Sequence, residues 1–189
     1  MKKKVVIVGG VAGGASAAAR LRRLDEHAEI ILFERGDYIS YANCGLPYYI
    51  GGTIKERSRL MVQTPDAMRS RFAIDVRTNS EVINIDTEKK CVTVRSKEKG
   101  EYVESYDHLI LSPGSKAFVP NIPGVDNERI LTLRNIHDTD KIKHYADRND
   151  VADAIVIGGG FIGVEMAENL RERGLNVTLT EAAPHVLAF

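Results

Sequence analysis

The sequence predicts an α/β protein in which one βαβ design occurs twice, with a β-meander set between the two occurrences. Three observations predict it. A short apolar run, Val5–Val8, opens into the stretch GGVAGG at 9–14 and then into an Ala-rich segment. The same succession of apolar run, glycines and helix formers returns at 154–173. Between them, from about 74 to 112, short segments alternate apolar and polar residues and are divided by turn formers.

Each element has a local reason. Val5–Val8 is apolar throughout, as a parallel strand covered on both faces requires. Ala15–Leu24 is Ala-rich with Leu and Arg, all good helix formers. EIILFE at 29–34 is a second buried strand and completes the first βαβ unit. Residues 35–64 have a weak pattern and read as loop with short helical pieces. Thr64, followed by Pro65 and Asp66, is a helix start. Val82–Asp86 alternates, Thr87–Lys90 turns, Cys91–Arg95 alternates back, and Lys97–Gly100 turns again. Leu109–Leu111 is a strand that ends in SPGS at 112–115. Asn121–Gly124 is a loop, Ile130–Leu133 reads as a short strand, and 135–148 as a helix. Ala154–Ile157 is again a buried strand, leading through GGGFIG at 158–163 into a helix that runs to Arg173 and is stopped by Gly174. A strand at Asn176–Thr180 ends at Glu181. A domain boundary is expected near residue 150. Residues 1–150 then form the first domain, with the meander at about 74–112, and 151–189 begin the second. A doubly wound sheet needs about five or six strands, so the chain reads as truncated within its second domain.

Composition removes several function classes. Lys plus Arg is 26 and Asp plus Glu is 26, a net charge of zero, which argues against nucleic acid as a partner. The two cysteines, Cys44 and Cys91, have neither disulfide-scaffold nor zinc spacing, so no metal site is expected, and a reducing compartment, the cytoplasm, is. The first nineteen residues imitate a secretory leader. Glu34, at the distance that a glycine turn and its acidic partner require, favours strand, turn and helix instead. No apolar run approaches the roughly 20 residues that span a bilayer.

The two glycine turns carry the first functional signal. In G-x-G-x-x-G the first glycine makes the tight turn, the second lets a pyrophosphate approach the backbone, and the third lets helix and strand pack closely. An acidic residue ending the next strand takes the ribose hydroxyls. Gly158, Gly160, Gly163 and Glu181 fit this pattern fully, with Phe161 and Ile162 inside the turn. A carboxylate at 181 favours NADH over NADPH, because it repels a 2′-phosphate. The first turn departs from the pattern: Gly9, Gly10, Ala12 and Gly14 are in place, but Val11 stands at the middle glycine. Glu34, followed by Arg35, restores the match. Two such units in one chain suggest two different dinucleotides, a nicotinamide nucleotide at the second and FAD at the first.

Cys91 alternates within a strand and reads as structural. Cys44 sits in SYANCGLPYY, among residues that favour a loop able to present a thiol. The first glycine turn, the Cys44 loop and GGGFIGVE together resemble the pyridine nucleotide–disulfide oxidoreductases, two-domain flavoproteins of Rossmann-like units. The resemblance covers the whole chain. Members with a dithiol site carry C-x-x-x-x-C, and this chain has Tyr49 at the second position. That departure resembles the single-cysteine members, and SYANCGLPYYIGG with GGVAGGASAAARLRRL most resembles the coenzyme A-disulfide reductase branch.

The resemblance implies an FAD-dependent enzyme in which electrons from NADH, or NADPH as the alternative, pass through FAD to a mixed disulfide between Cys44 and coenzyme A. It implies a homodimer for the full-length protein. Ser16, Arg20 and Arg23 share one helical face, and two arginines suit the phosphates of coenzyme A. Against this stands a plain solvated face, since Arg22 and Asp25 show charge to spare. The resemblance carries coenzyme A contacts to Ser16, Arg20, Arg23, Ser40 and Asn43, with Arg71 as a further candidate. It carries Val82 to the adenine, Ser112 and Gly114 to the FAD, Arg134 to its phosphates, Phe161 to an aromatic gate over the flavin, with plain core packing as the alternative, and Glu165 to the nicotinamide. The five histidines form no constellation. Two other readings stay open. In an NADH oxidase or peroxidase, Cys44 cycles through a sulfenic acid. In a nucleotide-binding module without catalysis, Cys44 has no role in turnover.

Overall fold

A computed structural model describes residues 3–188. The chain divides into two compact units, residues 3–41 with 61–115, and residues 42–60 with 116–188. The boundary expected near residue 150 falls inside the second of these.

In the first unit, β1 (Lys4–Val8), α1 (Ala12–Leu24) and β2 (Glu29–Phe33) form the expected βαβ unit. A four-stranded parallel sheet follows, in the order β3-β2-β1-β7, with β3 at Asp75–Arg77 and β7 at His108–Leu111. The helix started by Thr64, α3 (Pro65–Phe72), lies between β2 and β3 in the chain. Thr64 Oγ1 accepts from the Ala67 N–H at 3.2 Å.

β1 and β2 are apolar along their length because both faces of the sheet are covered. One face buries Val5, Ile7, Ile30 and Leu32 against Ala15 and Ala18 of α1 and Met68 of α3. The other buries Val6, Ile31 and Phe33 against Val92 and Val94 of the meander. That meander consists of β4 (Ser80–Asp86), β5 (Cys91–Ser96) and β6 (Gly100–Ser105). It is narrower than the 74–112 expected, because the outer two strands of that segment join the parallel sheet.

Meander and sheet are also tied by charge. Glu104 accepts from Lys4 and from Arg77, the latter at 2.6 Å, and its side chain is 15% exposed. Burial acts to raise the Glu104 pKa, but the hydrogen bonds from Lys4 and Arg77 outweigh it and hold the carboxyl below its ordinary value. A depressed carboxylate contributes stability above its unfolded pKa and loses it as pH falls through the folded one. Glu104→Gln is therefore expected to cost about 2 kcal/mol at pH 7. The gap to wild type should narrow as pH falls below about 4.3. Urea unfolding of both proteins at neutral and acid pH checks this, and a constant gap would contradict it.

The second unit holds α2 (Leu46–Gly51), α4 (Ile136–Ala146) and the second βαβ unit: β8 (Asp153–Ile157), α5 (Phe161–Glu172) and β9 (Asn176–Thr180). Asn135 caps α4 through its side chain, which accepts from the Asp138 N–H at 2.9 Å. Gly174, at φ +93°, ends α5 as expected: its N–H donates to Arg171 and that of Leu175 to Leu170, the paired bonds of a Schellman motif. Ile130–Leu133 is not a strand. No strand pairs with it among the described residues, and Ile130 is half exposed. No helix among the described residues is long and apolar enough to cross a membrane.

Candidate functional site

In the sheet order β3-β2-β1-β7 the chain steps outward from β1 through β2 to β3 and later returns to β7 on the other side of β1. The end of β1 is thus the point where strand order reverses, where open α/β sheets bind ligands. The first glycine turn sits there. Gly9 has φ +96°, and a Cβ on it would lie 2.0 Å from the Ser112 carbonyl oxygen. A Cβ on Gly14 would lie 1.7 Å from the Gly9 carbonyl oxygen. Only glycines let strand, turn and helix close this tightly. Gly10 donates to Glu34 at 2.8 Å, and the other Glu34 oxygen accepts from Gly36 at 2.8 Å. The structure therefore brings together Gly9, Gly10, Gly14, Glu34 and Ser112. Val11, at the middle position, has a negative φ of −85°, so no left-handed backbone calls for glycine there.

The second turn repeats this. Gly158 has φ +103°, and a Cβ on Gly163 would lie 1.9 Å from the Gly158 carbonyl oxygen. Gly159 donates to Glu181 at 2.5 Å, and the other Glu181 oxygen accepts from Ala183 at 2.8 Å. The N–H groups of Ala183 and Gly159 hold the Glu181 carboxyl below its ordinary pKa. A Cβ on Gly160 would meet nothing within 4 Å, so the space in front of the middle glycine is open. The glycine pattern alone does not single out Gly159; its place in the second turn matches that of Gly10 in the first, and that repeat is the signal that finds it.

Helix caps separate these two helices from α3 and α4. Side chains cap α3 and α4 at their first turns, whereas α1 and α5 have no side-chain cap and no acidic residue in the first turn. Their leading N–H groups and positive helix ends stay available to an anion. Turn, acidic partner and free helix end fit a dinucleotide at each unit.

On α1, Ser16, Arg20 and Arg23 form one exposed stripe that begins beside the glycine turn. Among the described residues neither Arg20 nor Arg23 forms a hydrogen bond or ion pair. Arg22 differs: it donates to the carbonyls of Asp25, Glu26, Phe72 and Ala73, joining the ends of α1 and α3. The charge of this helix is thus not uniformly surplus. Ser40 has a left-handed backbone at φ +44°. Three main-chain bonds hold it there, from its N–H to Gly10 and to its carbonyl from Val62 and Gln63. Arg71 lies over the Phe72 ring at 5.7 Å. Arg35 is exposed after β2, Val82 packs half-buried in β4, and Gly114 is exposed at φ +69°.

Asn43, Cys44, Arg134, Phe161, Ile162 and Glu165 belong to the second unit. Asn43–Gly45 form a single 3-10 turn that runs into α2, and Cys44 is free and exposed at its head. Tyr49, at the position of a second thiol, is instead buried, with the Lys143 ammonium 5.1 Å from its ring centre. The backbone of Arg134 donates to Asp138 at 3.0 Å. Phe161 and Ile162 are exposed at the start of α5, and Glu165 is half-buried one turn on.

Residues 3–189 match the family described as pyridine nucleotide-disulphide oxidoreductase. A coenzyme A disulfide reductase of Staphylococcus haemolyticus is 45% identical over 97% of this chain, which covers 41% of that protein. The structure of reduced CoADR-RHD from Bacillus anthracis is 58% identical with a TM-score of 0.95, over 99% of this chain and 34% of that one. The water-forming NADH oxidase of Lactobacillus brevis is 32% identical with a TM-score of 0.92, over 98% of this chain and 41% of that one. The chain thus spans about two-fifths of the length of the curated relatives it matches.

Proposed function

This chain belongs to the pyridine nucleotide–disulphide oxidoreductases, and on that premise we propose that it is the dinucleotide-binding part of an FAD-dependent NADH oxidoreductase that reduces coenzyme A disulfide or a coenzyme A persulfide. One observation carries the reading: Cys44 is a free, exposed thiol whose expected protein partner position is filled by the buried Tyr49. The substrate then has to supply the second sulfur.

Gly9, Gly10, Gly14 and Glu34 hold FAD in this reading, and Gly158, Gly160, Gly163 and Glu181 hold the nicotinamide nucleotide. When bound, the two cofactors supply a hydride and the electron pair that cleaves a disulfide. Cys44 thiolate attacks one sulfur of the coenzyme A disulfide. The bond from Cys44 to that sulfur forms, the original S–S bond breaks, and one coenzyme A thiolate leaves. Two electrons and a proton then return Cys44 to thiolate and release the second thiol. Arg20 and Arg23 hold the phosphates of the coenzyme A, with Ser16, Ser40, Asn43 and Arg71 as further contacts. Glu181 selects NADH, because its carboxylate repels a 2′-phosphate.

The likeness to the Lactobacillus brevis oxidase supports a second reading, with oxygen or peroxide as acceptor and a Cys44 sulfenic acid in the cycle. The arginine stripe separates the two. Arg20→Ala/Arg23→Ala in the full-length, FAD-loaded protein is expected to raise KM for coenzyme A disulfide about tenfold or more. Oxidation of NADH by oxygen should stay unchanged. NADPH, run in the same assay, is expected to give a kcat/KM at least about tenfold below NADH. Equal KM in variant and wild type would remove coenzyme A from the reading, and equal use of both nucleotides would remove the role given to Glu181.

A further inference from the structure

α2 is six residues long, too short to hold itself in water, and Gly45 gives it no side-chain cap. Its position is set by what it packs on within the second unit. Ile50 is fully buried with Met166 and Leu170 of α5. Arg57 grips Asp140 of α4 with two nitrogens, at 2.9 and 2.7 Å. The closest approach is made by the two glycines that end the helix. A Cβ on Gly51 would lie 2.1 Å from Asn169 Oδ1 and 2.8 Å from Asn169 Cβ, and a Cβ on Gly52 would lie 3.3 Å from the Arg173 guanidinium. Asn169 and Arg173 are four apart on α5 and so share a face. The glycine pair seats that face.

Asn169 is an unexpected residue to find there. It is 1% exposed, its Nδ2 donates to the Glu165 carbonyl at 2.8 Å, and its Oδ1 has no hydrogen-bond partner. An unpaired buried amide oxygen costs about 1–3 kcal/mol. A leucine of similar size would fill the volume without that cost, so packing alone does not call for an amide. The oxygen instead occupies the place where a side chain on Gly51 would begin, so the amide and the glycine backbone fit only each other. The two helices so joined begin at the two chemical features of this unit. α5 starts in the second glycine turn, and α2 starts at Leu46, two residues after Cys44 and continuous with the 3-10 turn that holds it.

We propose that the Gly51–Asn169 contact registers α2 on α5 and thereby orients the Cys44 thiol, which makes Asn169 a positioning residue for Cys44. The inference rests on the reading of Cys44 as the redox thiol. Adding a Cβ at Gly51 must push the helices apart, and misplacement of a reacting group by about 1 Å can cost up to about a hundredfold in rate.

The test is the rate of Cys44 alkylation by iodoacetamide in the full-length protein, read by mass. Gly51→Ala is expected to change that rate about tenfold. Gly51→Ala/Asn169→Gly removes the obstructing side chain and is expected to restore it. Arg22→Ala, which loosens the first unit, serves as a destabilised control and should leave the rate within about twofold. If Gly51→Ala does not fold, Asn169→Gln, whose longer side chain crowds Gly51 from the α5 side, replaces it, with the same expected change. An alkylation rate unchanged in the single variant, or not rescued in the double, overturns the inference. Either result leaves the redox reading of Cys44 standing or falling on the turnover of Cys44→Ser alone.

Discussion

Replacement of Cys44 by serine is expected to lower turnover of coenzyme A disulfide by about a thousandfold or more, with FAD content and melting temperature unchanged. The thiolate is the nucleophile in disulfide exchange, and a serine hydroxyl neither ionises at neutral pH nor forms a bond to sulfur that electrons can cleave. Because Cys44 is exposed and lies outside the buried core, the change removes chemistry without opening a cavity. Steady-state assays with full-length, FAD-loaded protein check it. A variant that keeps a tenth of wild-type turnover would show that Cys44 does not carry the reaction.

Substitutions in the glycine turns are expected to divide into two kinds. Gly14→Ala puts a methyl 1.7 Å from the Gly9 carbonyl oxygen, backbone against backbone, where nothing flexible can yield. Overpacking of this kind costs about 1–3 kcal/mol or more. The protein is expected to lose both its flavin and several degrees of melting temperature. Gly160→Ala, by contrast, meets nothing within 4 Å. It should leave the melting temperature within about a degree of wild type, a surface-substitution effect. It should still weaken NADH binding about tenfold or more, because the methyl stands where the pyrophosphate approaches. Thermal melts, flavin absorbance and NADH titration separate the two. A destabilised Gly160→Ala would mean that this glycine serves the fold and not a ligand.

The fold was legible where the signal is local. Both βαβ units follow from apolar strands, glycine turns and the acidic residue that ends each second strand. Thr64 and Gly174 act as the caps that their residue types suggest. What local signal does not contain is a strand's partner. Asp75–Arg77 and His108–Leu111 look like more of the meander in sequence, yet they pair in parallel with β2 and β1. α2 is one of the short helical pieces expected within 35–64, but its bounds were hidden for a different reason. Its residues, with Gly45 and Pro47 at one end and Gly51 and Gly52 at the other, have poor helix propensity, and packing on α4 and α5 makes the helix. The left-handed backbone of Ser40 had no signal either, since glycine or asparagine is the usual occupant of that region.

The candidate site was legible in its chemistry and less so in its supports. The glycines, Glu34, Glu181 and Cys44 are chemical groups whose types announce a purpose. Gly159, Gly36 and Asn169 act through a main-chain N–H or through close packing, and only the folded backbone shows it. In the sequence Arg22 reads as surplus charge on α1, but its four carbonyl partners make it a structural clamp. That leaves Arg20 and Arg23 as the arginines of this helix that form no hydrogen bond or ion pair among the described residues.

The most direct test is the intact mass of the full-length protein, purified without reductant and measured before and after dithiothreitol, with Cys44→Ser as control. The expected result is an adduct of coenzyme A mass that dithiothreitol removes and that the serine variant never carries. Additions of oxygen mass alone at Cys44 would contradict the mixed disulfide and turn the reading to an oxidase or peroxidase.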